Sequence, residues 1–150
     1  TAQCRCVYLR PDCICRYLTG DAMATHNTVL IVEDELGVRE ILHEALSFYR
    51  YRVITAATVQ EAEKALQGLD VAGTHLVISD VNLTPTHNAR EGYVLYQRWS
   101  ALYPTLRFIL ISGDSTNREL PDIRSGAVRF LAKPFGIDAL LEVVREVLGK

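Results

Sequence analysis

From Thr28 onward the chain alternates short apolar runs with stretches of helical period. Thr28–Val32 (TVLIV) is continuous and rich in β-branched residues, which predicts a strand covered on both faces. Val38, Ile41, Leu42, Ala45, Leu46 and Tyr49 then recur at i, i+3, i+4, i+7, i+8 and i+11, one stripe of a helix. Arg52–Thr55 reads as a second strand. Thr58–Leu66 reads as a second helix, opened by a capping box of Thr58 and Glu61. His75–Ser79 predicts a third buried strand ending at Asp80. A helix over Glu91–Tyr103 follows, with Leu95, Trp99 and Leu102 inward, and Pro104 closes it. Arg107–Ile111 predicts strand four, Ser115–Arg124 a helix interrupted at Pro121, and Val128–Leu131 strand five. Ile137–Leu148 closes the pattern as an amphipathic helix, with Ile137, Leu140, Leu141, Val144 and Leu148 on one face. Five strands alternating with five helices imply an α/β fold: a parallel, doubly wound sheet with right-handed crossovers. Ligands of such sheets bind beyond the carboxyl ends of the strands.

Residues 1–25 lack any sustained period and hold all four cysteines, Cys4, Cys6, Cys13 and Cys15. They read as an N-terminal extension, either foreign to the natural protein, with Met23 its start, or genuine. Residues 26–150 read as one domain, the size expected for a chain of 150 residues. A body without cysteine fits a reducing compartment, hence a cytoplasmic expectation. The net charge of −2 gives no pointer to direct nucleic-acid contact, and no apolar run approaches the roughly 18 residues of a membrane span. The C-x-C-x₆-C-x-C spacing is shorter within each pair than structural zinc sites favour.

The ends of the expected strands carry Glu33-Asp34-Glu35, Asp80, Ser112-Gly113-Asp114 and Lys133-Pro134. The fold would bring these together from residues 33 to 133. Carboxylates so gathered repel one another unless a cation lies among them, and oxygen ligands select Mg²⁺ or a similar ion such as Mn²⁺. A carboxylate can form an acyl phosphate, and a metal with a lysine can offset charge on phosphoryl oxygens. Ser112 could donate a hydrogen bond to such an oxygen. Taken singly, Asp34 and Asp80 could be helix caps, Ser112 a turn residue and Lys133 a surface lysine. Their conjunction favours a phosphoryl-transfer site.

VLIVEDE, LVISDVNL, FILISGD and FLAKPF, in this order, resemble the signatures of response-regulator receiver domains over Thr28 to Leu148. The resemblance implies a flavodoxin-like (βα)₅ fold with strand order 2-1-3-4-5. It implies that Asp80 accepts a phosphoryl group from a histidine kinase, a phosphotransfer protein or a small phosphodonor. Asp34 would ligate Mg²⁺ (or Mn²⁺) directly with Asp80, Glu33 would assist, and the backbone carbonyl of Asn82 would complete the site. Lys133 would pair with the phosphoryl oxygens, with a cis bond to Pro134. Ser112 would follow the phosphoryl group, and Phe130 would couple it to the outer face. Asn82 and Asp114 would tune loss of the phosphoryl group. The protein would then be a phosphoacceptor switch rather than an enzyme. Its partners would be the phosphodonor and a downstream protein, with a homodimer conceivable.

Two segments depart from the family pattern. The loop VNLTPTHNARE, residues 81 to 91, is longer than usual and reads as a tolerated polar insertion, its His87 solvated. Pro121 should shorten or bend helix four, which disturbs the face the family uses for dimers. Two competing functions are an interaction module that keeps only the fold and a metal or redox sensor built on the cysteines. Degenerate receivers lose acidic or lysine positions, and none is lost here. The chain ends soon after the last helix, so it reads as a receiver acting alone or cut from a larger regulator or hybrid kinase.

Overall fold

The computed structural model describes residues 27–69, 74–83 and 89–149, with the side chains of Thr74 and His75 excepted. The cysteine-bearing segment, the middle of the long loop and His87 therefore lie outside the described residues. The elements are β1 (Thr28–Val32), α1 (Leu36–Phe48), β2 (Arg52–Ala56), α2 (Val59–Gln67), β3 (Thr74–Asp80), α3 (Glu91–Leu102), β4 (Arg107–Ser112), a 3₁₀ turn (Ser115–Glu119), α4 (Pro121–Arg124), β5 (Arg129–Ala132) and α5 (Ile137–Leu148). All strand pairs are parallel, in the order β2-β1-β3-β4-β5.

Strand period splits the core into two layers. Leu30, Val32, Val77, Phe108 and Leu110 face α2 and α3, with Leu66, Leu95 and Trp99 against them. Val29, Ile31, Leu76, Ile78, Ile109 and Ile111 face α1 and α5, where Leu42, Leu46, Leu140 and Val144 close the layer. Successive side chains of a strand point to opposite faces, so a strand covered twice must be apolar throughout. β1 is buried at every position, and each such Leu, Ile or Val contributes roughly 1.5–3 kcal/mol by leaving water. β2 is an edge strand, with Arg52 and Thr55 exposed.

The helical stripes are narrower than the sequence pattern suggests. Ile41 (59 % exposed), Leu102 (62 %) and Ile137 (48 %) flank the buried stripes of α1, α3 and α5 instead of lying within them. Tyr49 caps α1 at the surface, with the Arg145 guanidinium over its ring. The segment expected as one helix over Ser115–Arg124 is two pieces. The 3₁₀ turn ends at Glu119, Leu120 separates the two, and Pro121 opens α4 at its first position, where a missing N–H costs nothing. Thr58 caps α2 as expected: its hydroxyl accepts from the Glu61 N–H at 3.1 Å, and Glu61 accepts from the Ala57 N–H at 2.7 Å. Among the described residues no helix is long and apolar enough to cross a membrane.

Candidate functional site

Parallel register brings the ends of β1, β3, β4 and β5 to one edge. Val32 pairs with Ser79, Asp80 with Ile111, and Ser112 with Ala132. The residues immediately beyond must meet there. They line an open cleft of Glu33, Asp34, Glu35, Asp80, Asn82, Ser112, Gly113, Asp114 and Lys133.

Carboxylate oxygens of Glu33, Asp34 and Asp80 lie within 4.8 Å of one another. Lys133 stands among them, its Nζ 2.8 Å from Asp80 Oδ2 and 2.8 Å from Glu33 Oε2. The first contact is a hydrogen bond. The second is an ion pair with the fully buried Glu33 carboxylate. One ammonium cannot balance three carboxylates. Burial, reinforced by the negative charge of Asp80, pushes Glu33 up to about 7 despite the opposing pull of Lys133. Burial would lower the Lys133 ammonium, but its pairing with the Asp80 and Glu33 carboxylates outweighs that and raises it. The Lys133–Pro134 bond is cis.

Backbone groups fix the carboxylates. The Asn82 N–H donates to Asp80 Oδ1 at 3.1 Å, and the Glu35 N–H donates to Glu33 Oε1 at 3.1 Å. With Lys133 on Oδ2, both oxygens of Asp80 are held. Two further residues, not among those singled out from the sequence, shape the site. Arg39 of α1 donates to the carbonyl oxygens of Glu33 (2.7 Å) and Asp34 (3.3 Å), clamping the acidic loop. Gly92, in the first turn of α3, lets that helix pass against the Asp80 carbonyl: a Cβ there would fall 1.7 Å from its oxygen. Gly92 also donates its N–H to Val81 at 3.0 Å.

Ser112 reaches the cleft wall with its Oγ engaged away from Asp80. It accepts from the Asp114 N–H at 3.0 Å and from Asn117 Nδ2 at 2.8 Å. Asn117 is fully buried, and a buried Asn needs a built partner, yet sequence period alone gave it no weight. Asp114 is exposed, and its Oδ1 caps the 3₁₀ turn by accepting from the Thr116 N–H and hydroxyl at 2.9 and 2.7 Å, which lowers its pKa. The Asn82 side chain is buried with its Oδ1 unpartnered. Phe130 is not in the cleft: it is half-buried on β5, with the Arg118 guanidinium 5.5 Å from its ring centroid.

Residues 29–145 match the family model of the response regulator receiver domain. The chain belongs to that family. Among relatives, it is 35 % identical over 124 residues to the response regulator protein FleR of Pseudomonas aeruginosa, covering 81 % of this chain and 25 % of FleR. It is also 35 % identical over 127 residues to the sensor kinase CckA of Brucella abortus, covering 82 % of this chain and 13 % of CckA. It thus spans only a fraction of these relatives. The response regulator protein TrrA of Thermotoga maritima, solved in complex with Mg(2+)-BeF, superposes with a TM-score of 0.67 at 27 % identity, over 81 % of this chain and 98 % of that one. This receiver is accordingly a regulatory domain of two-component signal transduction, on the five-stranded α/β fold expected of it.

Proposed function

We propose that this receiver is a phosphoacceptor switch in which Asp80 takes the phosphoryl group. The observation that carries the reading is the Asp80 carboxylate, held by Lys133 and the Asn82 N–H at the centre of an acidic cleft. An Asp80 oxygen attacks phosphorus, a P–O bond forms, and the P–N bond to a kinase or phosphotransfer-protein histidine breaks, or the P–O bond to acetate in acetyl phosphate. The leaving imidazole departs with a proton. Lys133 offsets charge on the phosphoryl oxygens. Later attack of water on phosphorus regenerates the carboxylate, and Asn82 and Asp114, which line the cleft, tune that step.

The donor set suits Mg²⁺ or Mn²⁺. Three carboxylates within 4.8 Å of one another, two of them sharing the Lys133 ammonium, form a hard-oxygen site short of positive charge. Asp34, Asp80 and the Asn82 carbonyl would hold the ion, with Glu33 assisting. When bound, the ion supplies positive charge for the transferring phosphoryl oxygens. Ser112 then turns its hydroxyl to the new phosphoryl oxygen, Phe130 repositions on β5, and the outer face changes affinity for a downstream protein.

Intact mass after incubation with acetyl phosphate tests this. A Mg²⁺-dependent gain of one phosphoryl group in the wild type, lost in Asp80→Asn, is expected. No gain under any condition, in folded protein, would leave an interaction module on a receiver scaffold. We further infer that residues 26–150 form the receiver unit and that it acts in the cytoplasm, alone or within a larger regulator or hybrid kinase.

A further inference from the structure

The 3₁₀ turn Ser115–Glu119 stands where a longer helix was expected, and two adjacent residues on it touch both residues of the proposed switch. Asn117 donates its amide to Ser112 Oγ at 2.8 Å, and Arg118 lies over the Phe130 ring at 5.5 Å. We propose that this turn is a clasp that holds Ser112 and Phe130 in the resting arrangement, with Asn117 and Arg118 as positioning residues that set how readily the receiver activates. The inference rests on the switch reading of Ser112 and Phe130 given above.

The argument is one of hydrogen-bond satisfaction. The Ser112 oxygen has two acceptor positions, and the Asp114 N–H and the Asn117 amide use both. Asn117 is fully buried, and its own Oδ1 already lacks a partner. If Ser112 turns toward Asp80, the Asn117 amide is left with neither end bonded in a place water does not reach. Stranding a buried polar group is more costly than losing a hydrogen bond at the surface. Ser112 is therefore drawn back to the clasp whenever no phosphoryl oxygen competes for it. Arg118 acts on the second switch residue by a different force, the attraction between a guanidinium and a ring face. Because Phe130 is half-buried and Arg118 exposed, this second prong is the weaker one.

The test uses the full chain and a phosphoryl stand-in, beryllium fluoride with Mg²⁺, titrated by NMR on wild type, Asn117→Leu and Arg118→Ala. Asn117→Leu keeps the side-chain volume close and removes the amide. The expected result is tighter beryllium fluoride binding, about fivefold for Asn117→Leu and about two- to threefold for Arg118→Ala. Affinity for Mg²⁺ alone stays at the wild-type value. Without fluoride, the Ser112, Gly113 and Phe130 amide resonances of the variants should lie displaced toward their positions in the fluoride-bound wild type. A purely structural role would lower the thermal midpoint without moving those resonances along that line. Unchanged or weaker fluoride binding in both variants overturns the clasp, and weaker binding in Asn117→Leu would mean that Asn117 readies Ser112 for the phosphoryl group. A wild type that binds Mg²⁺ but never beryllium fluoride overturns the switch reading itself, and the clasp with it. Arg118 is exposed, so its variant decides the matter even if Asn117→Leu folds poorly.

Discussion

Gly92 shows how closely one residue can govern a site it does not enter. Its missing side chain is what lets the backbone of α3 lie against the Asp80 carbonyl, where a methyl carbon would sit 1.7 Å from oxygen. Gly92→Ala must push α3 outward or displace the end of β3. A loss of about 1–3 kcal/mol in chemical denaturation is expected, together with a slower phosphoryl gain from acetyl phosphate, since Asp80 moves with its own backbone. Glu33 makes a second residue-scale case. Its pKa in the fold is about 7, above the ordinary 4.5, so the folded state binds more protons than the unfolded state between those values. Stability of the metal-free receiver should then fall as pH rises from about 4.5 through about 7. Adding Mg²⁺ should offset that fall, with apparent affinity rising over the same range as the proton leaves Glu33. Melting curves at several pH values, with and without Mg²⁺, check both signs, and stability that instead climbs through this window would contradict the charge balance described for the cleft.

At the scale of elements, α2 depends on its start. Thr58 accepts from the Glu61 N–H and Glu61 from the Ala57 N–H, so Thr58→Ala should cost about 1 kcal/mol by denaturant titration while leaving phosphoryl gain unchanged. This capping box could be read from spacing alone, as could the strands, most plainly β1 and β4, which are buried on two faces and leave a continuous apolar run. The strand-end residues were legible for the same reason, since parallel topology dictates where those ends meet. What spacing could not convey lay where an element is too short or too shared to leave a period. Ser115–Glu119 and Pro121–Arg124 have one turn each, and nothing in their composition announces that Asn117 is buried. Leu102 and Ile41 matched a helical stripe, yet solvent reaches them because the sheet covers a narrower arc of the helix than the pattern allows. Arg39 and Gly92 act through backbone atoms of other elements, and hydrophobic period carries no record of that.

At the scale of the whole molecule, the two core layers and the acidic edge work against each other. Apolar burial on both faces of the sheet holds Glu33, Asp34 and Asp80 together, although their charges oppose that closeness. Divalent cation should therefore stabilise the entire fold by mass action, raising the melting temperature in step with the logarithm of Mg²⁺ concentration well above the dissociation constant. Asp34→Asn, with one charge fewer, should melt higher than wild type without metal and gain less from Mg²⁺. A scan at matched ionic strength, with Na⁺ in place of Mg²⁺, separates this from simple screening. The ion pair between Asp80 and Lys133 has one further consequence. Its members arrive from β3 and from the far end of β5, with β4 between them, so no local fragment of the chain contains both in place. A polypeptide whose sheet has not closed offers a kinase only an ordinary aspartate in an ordinary loop. On the proposed reading of Asp80, phosphorylation would then double as an inspection stamp: only molecules that have finished folding would carry the signal, and half-made or damaged copies would stay silent.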